Sequence, residues 1–322
     1  MHDLYPELTP FQHGFLPVMD GHSVFFEVSG NPLGSPALIL HGGPGSGSSA
    51  SARRYFDPKK YKIIQFDQRN CGRSLPHASE PEIDLTFNSL EHLLADIERL
   101  REYLAIERWL VLGGSWGATL ALAYVQKHPN RIAALVLNSV ATTTRKEIDW
   151  ITRGVGAFFP REWQEFRNFA GPIKNDDDLV SAYYEKLLNS RSTVHQPAAD
   201  AWCRWEMAIV DVTPGHQPHP RWQDPRFRLS FSRLVTHVWH HNAWLKEDQL
   251  WSEMQTIAHI PGRLIHGRLD FGSPLITAWK LKQHWPQSSL TIVETSGHDT
   301  RDTGMRSAIM NAIDGVGRTE QV

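Results

Sequence analysis

Apolar and polar positions alternate with a period of two over residues 14–28, and the alternation breaks at Asp20 and Gly21. An Asp-Gly pair readily takes the positive φ angles of a tight turn, so the chain is predicted to open on an antiparallel hairpin. Residues 37–45, ALILHGGPG, are a short unbroken apolar run ending in glycines. That is the pattern of a parallel strand buried on both faces, with a tightly packed loop at its C-terminal end. YKIIQFDQRNCGRS repeats the scheme, with its strand at residues 61–66. Leu90, Leu93, Leu94, Ile97, Leu100 and Leu104 then recur at helical spacing, with Asn88 or Ser89 available as N-cap. WLVLGG reads as the next strand, SWGATLALAYVQKHP as a helix stopped by Pro129, and RIAALVLNSV as another strand. Strands alternating with helices imply right-handed crossovers and a parallel sheet.

The texture changes after Val140. Residues 142–251 are rich in Trp, Arg, Asp and His, carry helical rather than strand patterning, and contain the proline-studded VTPGHQPHPRWQDP. The alternation resumes with a strand and loop in PGRLIHGRLD, a helix in PLITAWKLKQHW, a strand and loop in SLTIVETSGHD, and a last helix near residues 303–313. The simplest organisation is one sheet domain made from residues 1–141 and 252–322, with a helical cap at 142–251 inserted over it. No internal repeat or low-complexity tract appears.

Composition narrows the class. The 322 residues are 41% hydrophobic, enough for a sizeable core, and a net charge of -2 without basic runs gives no field for nucleic acid or an anionic membrane. Partners should be small and local. Cys71 and Cys203 are the only cysteines, too few for a disulfide framework and outside any metal-ligand spacing, which favours a reducing compartment. The first 18 residues are polar and broken by prolines, and no apolar run of about 18 residues occurs. A soluble cytoplasmic protein is therefore the expectation.

Candidate chemistry centres on Gly113, Ser115 and Gly117, a GxSxG between a predicted strand and a predicted helix. In that context the motif is a nucleophile elbow: a sharp turn exposes the serine, and glycines on either side avoid collisions with neighbouring backbone. Serine at its free pKa is a weak nucleophile and needs a base, oriented in turn by an acid. These should follow at later strand ends, acid first. His298, in the loop after the last strand, is the candidate base. Asp270, closing GRLIHGRLD, is the favoured acid, with Glu294 and Asp299 as rivals. Amide donors for a tetrahedral oxyanion are expected from Trp116, directly after the nucleophile, and from Gly43 in the HGGPG loop. His237, His240 and His241 have helical spacing, but without a carboxylate pattern such as HExxH they read as aromatic packing rather than a metal site. No metal or cofactor is expected.

HGGPG, DQRNCGRS, GGSWGATLALAYVQKHP, HGRLD and SGHD, in that order, make the chain resemble the proline iminopeptidases (prolyl aminopeptidases) of the α/β-hydrolase superfamily. The resemblance implies an α/β-hydrolase fold with a helical cap and release of N-terminal proline from peptides. It also implies a Ser115, Asp270, His298 triad with oxyanion donors at Gly43 and Trp116. Its WxxWE element matches Trp202, Trp205 and Glu206, and the resemblance gives Glu206 the substrate's free amine and Trp205 a place in the binding site. The bland alternative for Glu206 is a surface glutamate on a cap helix. A second family glutamate has no counterpart, because SRLVTHVW places Val235 there. That departure raises an alternative substrate, a carboxylic ester, amide or lactone hydrolysed by the same triad. A noncatalytic binding protein on the hydrolase scaffold is a third reading.

Overall fold

A computed structural model of the chain describes residues 4–173, 179–213 and 217–317. In chain order its strands are Gln12–Pro17 (β1), Ser23–Gly30 (β2), Ser35–Leu40 (β3), Tyr61–Phe66 (β4), Trp109–Gly114 (β5), Ile132–Asn138 (β6), Gly262–Gly267 (β7) and Ser288–Val293 (β8). They form one sheet in the order β1-β2-β4-β3-β5-β6-β7-β8. β1 and β2 make the expected hairpin, with Asp20 and Gly21 at φ 62° and 73° in its turn. β2 runs antiparallel to β4, and every pairing from β4 to β8 is parallel.

The helices are Leu90–Tyr103 (α1), Trp116–Lys127 (α2), Arg145–Thr152 (α3), Pro160–Ala170 (α4), Leu179–Leu187 (α5), Ser192–Val210 (α6), Pro225–His240 (α7), Gln249–Ser252 (α8), Leu275–His284 (α9) and Thr303–Gly317 (α10). Ser89 is the N-cap of α1, accepting from the His92 amide, while Asn88 instead donates to the Arg69 carbonyl and to Asn70. The parallel strands are apolar on both faces because both are covered. Ala37, Ile39, Leu110, Leu112, Ala134 and Val136 face one core shared with Met305, Ile309 and Ile313 of α10. Their alternates Leu38, Leu40, Trp109, Val111, Leu135 and Leu137 face the other, shared with α1, α2 and α9. Each buried Leu, Ile or Val among these contributes about 1.5–3 kcal/mol, so the strand register is fixed by both faces at once.

Between β6 and β7 the chain forms α3 to α8, and this helical segment has an aromatic core. Phe166 stacks on Tyr183 at 4.6 Å and on Trp205 at 5.4 Å between ring centroids, and Trp202 is wholly buried among them. The three candidate histidines pack as aromatic rings: His240 stacks on Tyr184 at 4.5 Å and His241 on Trp244 at 5.0 Å. Residues 214–216 of the proline-studded stretch lie outside the described residues. Its end forms a 3-10 turn, Pro220–Gln223, and Asp224 then caps α7 by accepting from the Arg226 amide. No described helix is long and apolar enough to cross a membrane.

Candidate active site

The corner between β5 and α2 puts Ser115 at φ 56°, ψ -123°, a conformation costly for any residue with a Cβ. Its surroundings permit nothing bulkier at the motif's glycines. A Cβ on Gly113 would lie 2.3 Å from the Gly117 carbonyl oxygen, and one on Gly117 would lie 2.2 Å from that of Leu40. The corner is tied to the neighbouring strand end, because the Ser115 amide donates to the Asn138 carbonyl at 3.1 Å. The next residue, Ser139, donates its hydroxyl to the His298 carbonyl at 2.9 Å. Two adjacent residues at the end of β6 thus hold the serine corner and the histidine loop in one frame.

The His298 ring donates through Nδ1 to the Asp270 carboxylate, with both oxygens at 2.9 Å. Asp270 also accepts from the Ser273 amide at 2.8 Å, and its side chain is fully buried. Behind it stands His266, whose Nδ1 accepts from the Val140 amide, so Nε2 carries the proton and donates to the Ser273 carbonyl. Burial holds the His266 pKa below its ordinary value, leaving a neutral ring beside Asp270. Burial alone would raise the Asp270 pKa, but the charge and hydrogen bond of His298 outweigh it and hold it low. The reciprocal effect raises His298: burial opposes the imidazolium, while Asp270, then Glu206 and Asp299, favour it more strongly. The rival acids are engaged elsewhere, Glu294 with Arg268 on the surface and Asp299 with Arg301.

The HGGPG loop follows β3. Gly43 has φ 114°, and a Cβ there would lie 2.5 Å from the Gly45 nitrogen, so only glycine fits. His41 braces this loop, accepting from the Gln68 amide through Nε2 and donating through Nδ1 to the Gly42 carbonyl. Gln68 returns a bond to the His41 carbonyl and accepts from the Trp116 indole at 2.9 Å. The Trp116 ring is therefore structural, and its amide belongs to the first turn of α2, where no intrahelical acceptor exists. The DQRNCGRS loop is also bracing: Asp67 holds Ser48 and Arg73, and Arg69 pairs with the buried Asp96.

Ser115, Gly43, Glu206 and His298 line one cavity of about 310 Å³. The Ser115 hydroxyl makes no hydrogen bond to His298 here; in unliganded sites such contacts are often long and tighten around the reacting group. Glu206, on α6, is only 8% exposed, which excludes the surface alternative. No cation pairs with it among the described residues. Burial pushes its pKa up to about 7, against the opposing pull of the His298 ring and the Trp202 indole. An alcohol on a strained corner and an imidazole held by a buried carboxylate, on the wall of one cavity, are the parts that acyl transfer uses.

The α/β hydrolase fold family profile matches residues 36–304. A probable proline iminopeptidase of Streptomyces coelicolor is 45% identical, covering 97% of this chain and 97% of its own. The proline iminopeptidase of Arabidopsis thaliana is 39% identical over 96% of this chain and 80% of its own. The chain belongs to the proline iminopeptidase family of α/β hydrolases. A solved proline iminopeptidase structure from Mycobacterium smegmatis shares the fold at TM-score 0.67 and 18% identity, covering 96% of this chain and all of that one.

Two positions of this chain differ from expectation. Trp205 is not among the residues lining the cavity: it is 2% exposed, donates its indole N–H to the Ile151 carbonyl and packs on Phe159 and Phe166. Helical spacing puts Trp205 and Glu206 about 100° apart around α6, so one faces the helical core while the other faces the cavity. Val235 is likewise fully buried in the apolar core and away from the cavity wall, which α7 reaches through Phe231 instead. The residues that sequence reasoning missed are His266, Gln68 and Arg221. The first two act through hydrogen bonds between distant loops. Arg221 reaches the cavity from the 3-10 turn, where no periodicity reports direction.

Proposed function

We propose that this chain removes N-terminal proline from peptides by way of an acyl-enzyme on Ser115. The observation that carries the reading is Glu206, a buried carboxylate with no ion pair among the described residues, on the wall that also holds Ser115 and His298. A free amino terminus, as an ammonium, is the group such a carboxylate accommodates; a blocked amine leaves it unpaired and desolvated. The alternative of an ester, amide or lactone substrate is not favoured. Its motive was Val235, which packs in the apolar core, and the relatives matched over nearly the full chain are iminopeptidases.

In this mechanism the Ser115 Oγ attacks the carbonyl carbon of the N-terminal residue while His298 Nε2 takes the hydroxyl proton. Asp270 keeps the Nδ1–H tautomer and stabilises the imidazolium. The oxyanion sits between the Gly43 and Trp116 amides. His298 then returns its proton to the departing peptide nitrogen as the C–N bond breaks, leaving the residue esterified to Ser115. Water repeats the cycle, giving its proton to His298 and its oxygen to the acyl group, and Ser115 is regenerated. The helical segment at 142–251 acts as the cap and supplies Glu206. We place the enzyme in a reducing, cytoplasmic setting, supported by two free thiols, Cys71 and Cys203, both buried and both with pKa raised chiefly by that burial.

Turnover of proline 4-nitroanilide beside its N-acetylated counterpart tests the reading, which expects efficient release from the first and little from the second. Equal rates on both would overturn it. A Gly43→Ala variant forces a Cβ against the Gly45 nitrogen and displaces one oxyanion donor. It should lower kcat by about 10²- to 10³-fold with a smaller change in KM, as initial-rate kinetics would show.

A further inference from the structure

Of the two guanidiniums lining the cavity, Arg301 pairs with Asp211 and Asp299, whereas Arg221 has no carboxylate partner among the described residues. It projects from the Pro220–Gln223 turn, whose first amide hydrogen bond runs from Arg221 N to His219 Nδ1 at 3.2 Å. The guanidinium carbon lies 5.2 Å from the Trp222 ring centroid and 5.1 Å from that of Phe227, which fix it without neutralising it. Its Nε is buried with no hydrogen-bond partner, and no carboxylate pairs with it among the described residues. The nearby acids Asp211 and Asp299 both accept from Arg301. Burial lowers the Arg221 pKa, against the weaker opposing pull of Asp299 and Asp211. Its charge reaches the HGGPG loop, where it disfavours protonation of His41.

The cavity therefore carries two groups of opposite sign, Glu206 and Arg221, neither in a direct ion pair among the described residues, with Ser115 and Gly43 on the same wall. We infer that Arg221 binds the free α-carboxylate of the leaving residue, so that the preferred substrates are dipeptides with an N-terminal proline. This rests on the aminopeptidase reading and specifies its substrate class. A dipeptide is a zwitterion. With its ammonium at Glu206 and its scissile carbonyl at Ser115, the only charge left to desolvate is the carboxylate one residue further on. A planar guanidinium receives that group through two parallel hydrogen bonds. In a longer peptide an uncharged amide occupies the same place and leaves Arg221 without a partner.

The test compares kcat/KM for prolyl-alanine with that for prolyl-alanine amide, which differ only in the terminal charge. The wild-type enzyme is expected to favour the free acid by about ten- to a hundredfold, the usual worth of a hydrogen bond to a charged group. Most of the difference should lie in KM. Arg221→Gln should bring the acid-to-amide ratio near one, and Arg221→Lys should retain part of it. Because the readout is a ratio within each protein, a general loss of activity in a variant does not mimic the effect. A wild-type ratio near one, with both compounds cleaved, overturns the carboxylate assignment and leaves the aminopeptidase reading standing. So does a ratio that survives in Arg221→Gln. Failure of the wild type to cleave any prolyl substrate, proline 4-nitroanilide included, refutes the aminopeptidase reading and this inference with it.

Discussion

Replacing Ser115 with alanine is expected to lower kcat for proline 4-nitroanilide by on the order of 10⁴- to 10⁶-fold while leaving substrate affinity and thermal stability close to wild type. The size follows from what the side chain supplies. Without the hydroxyl there is no acyl-enzyme and no proton for His298 to shuttle, and only the oxyanion donors and substrate positioning remain. Stability should hold because the strain at φ 56° belongs to the backbone and persists in alanine, and the Ser115 amide keeps its bond to Asn138. Steady-state kinetics and a thermal melt check both halves. Loss of activity accompanied by loss of folding would not count for the mechanism, whereas near-complete retention of activity would remove it.

Glu206→Gln should have the second-largest effect, with opposite signs for function and stability. Removing the carboxylate proposed to face the substrate ammonium should lower kcat/KM for proline 4-nitroanilide by about 10²- to 10³-fold, the scale for losing one partner of a buried charge pair. Hydrolysis of the N-acetylated compound, slow to begin with, should not fall in parallel. Stability should move the other way. The Glu206 pKa is about 7 in the folded protein against an ordinary 4.5. Between those values the folded state binds the extra proton, so stability declines as pH rises through this window. Above it the ionised group costs about 3 kcal/mol, since each pKa unit is worth about 1.4 kcal/mol. The glutamine variant should therefore melt several degrees higher than wild type near pH 8 and show little gain near pH 5. Its acid limb of activity should also shift to lower pH, because the Glu206 charge helps to raise the His298 pKa. An unchanged melting temperature near pH 8 would mean that Glu206 is not an uncompensated buried charge.

The sheet was readable because its strands are covered on both sides. Unbroken apolar runs such as residues 109–114 have few other uses, and strand bounds at Tyr61–Phe66 and Trp109–Gly114 agree with the pattern. The three-residue constellation was readable for a related reason: each member falls in a loop just after a strand, and a parallel sheet gathers those loops at one edge. The sequence already favoured Asp270 over Glu294 and Asp299 by its place after a strand, and in space it is set apart further by its hydrogen bonds to His298 and by the arginine partners of the other two. The helical segment was legible as helical and little more. Trp205 shows why: in a helix apolar on several sides, spacing does not distinguish the face that packs on other helices from the face that meets a cavity. Arg221 left no trace at all, since a single arginine among prolines reads as a solvated turn until the fold turns it onto the cavity wall.

All of this depends on Ser115 being the atom that carries the acyl group. Inactivation with a fluorophosphonate, followed by peptide mass mapping, examines that directly. One stoichiometric adduct on the peptide bearing Ser115, suppressed by prolyl substrate and lost in Ser115→Ala, is the expected result. An enzyme that cleaves proline 4-nitroanilide yet forms no adduct, or forms it on another residue, would contradict the account.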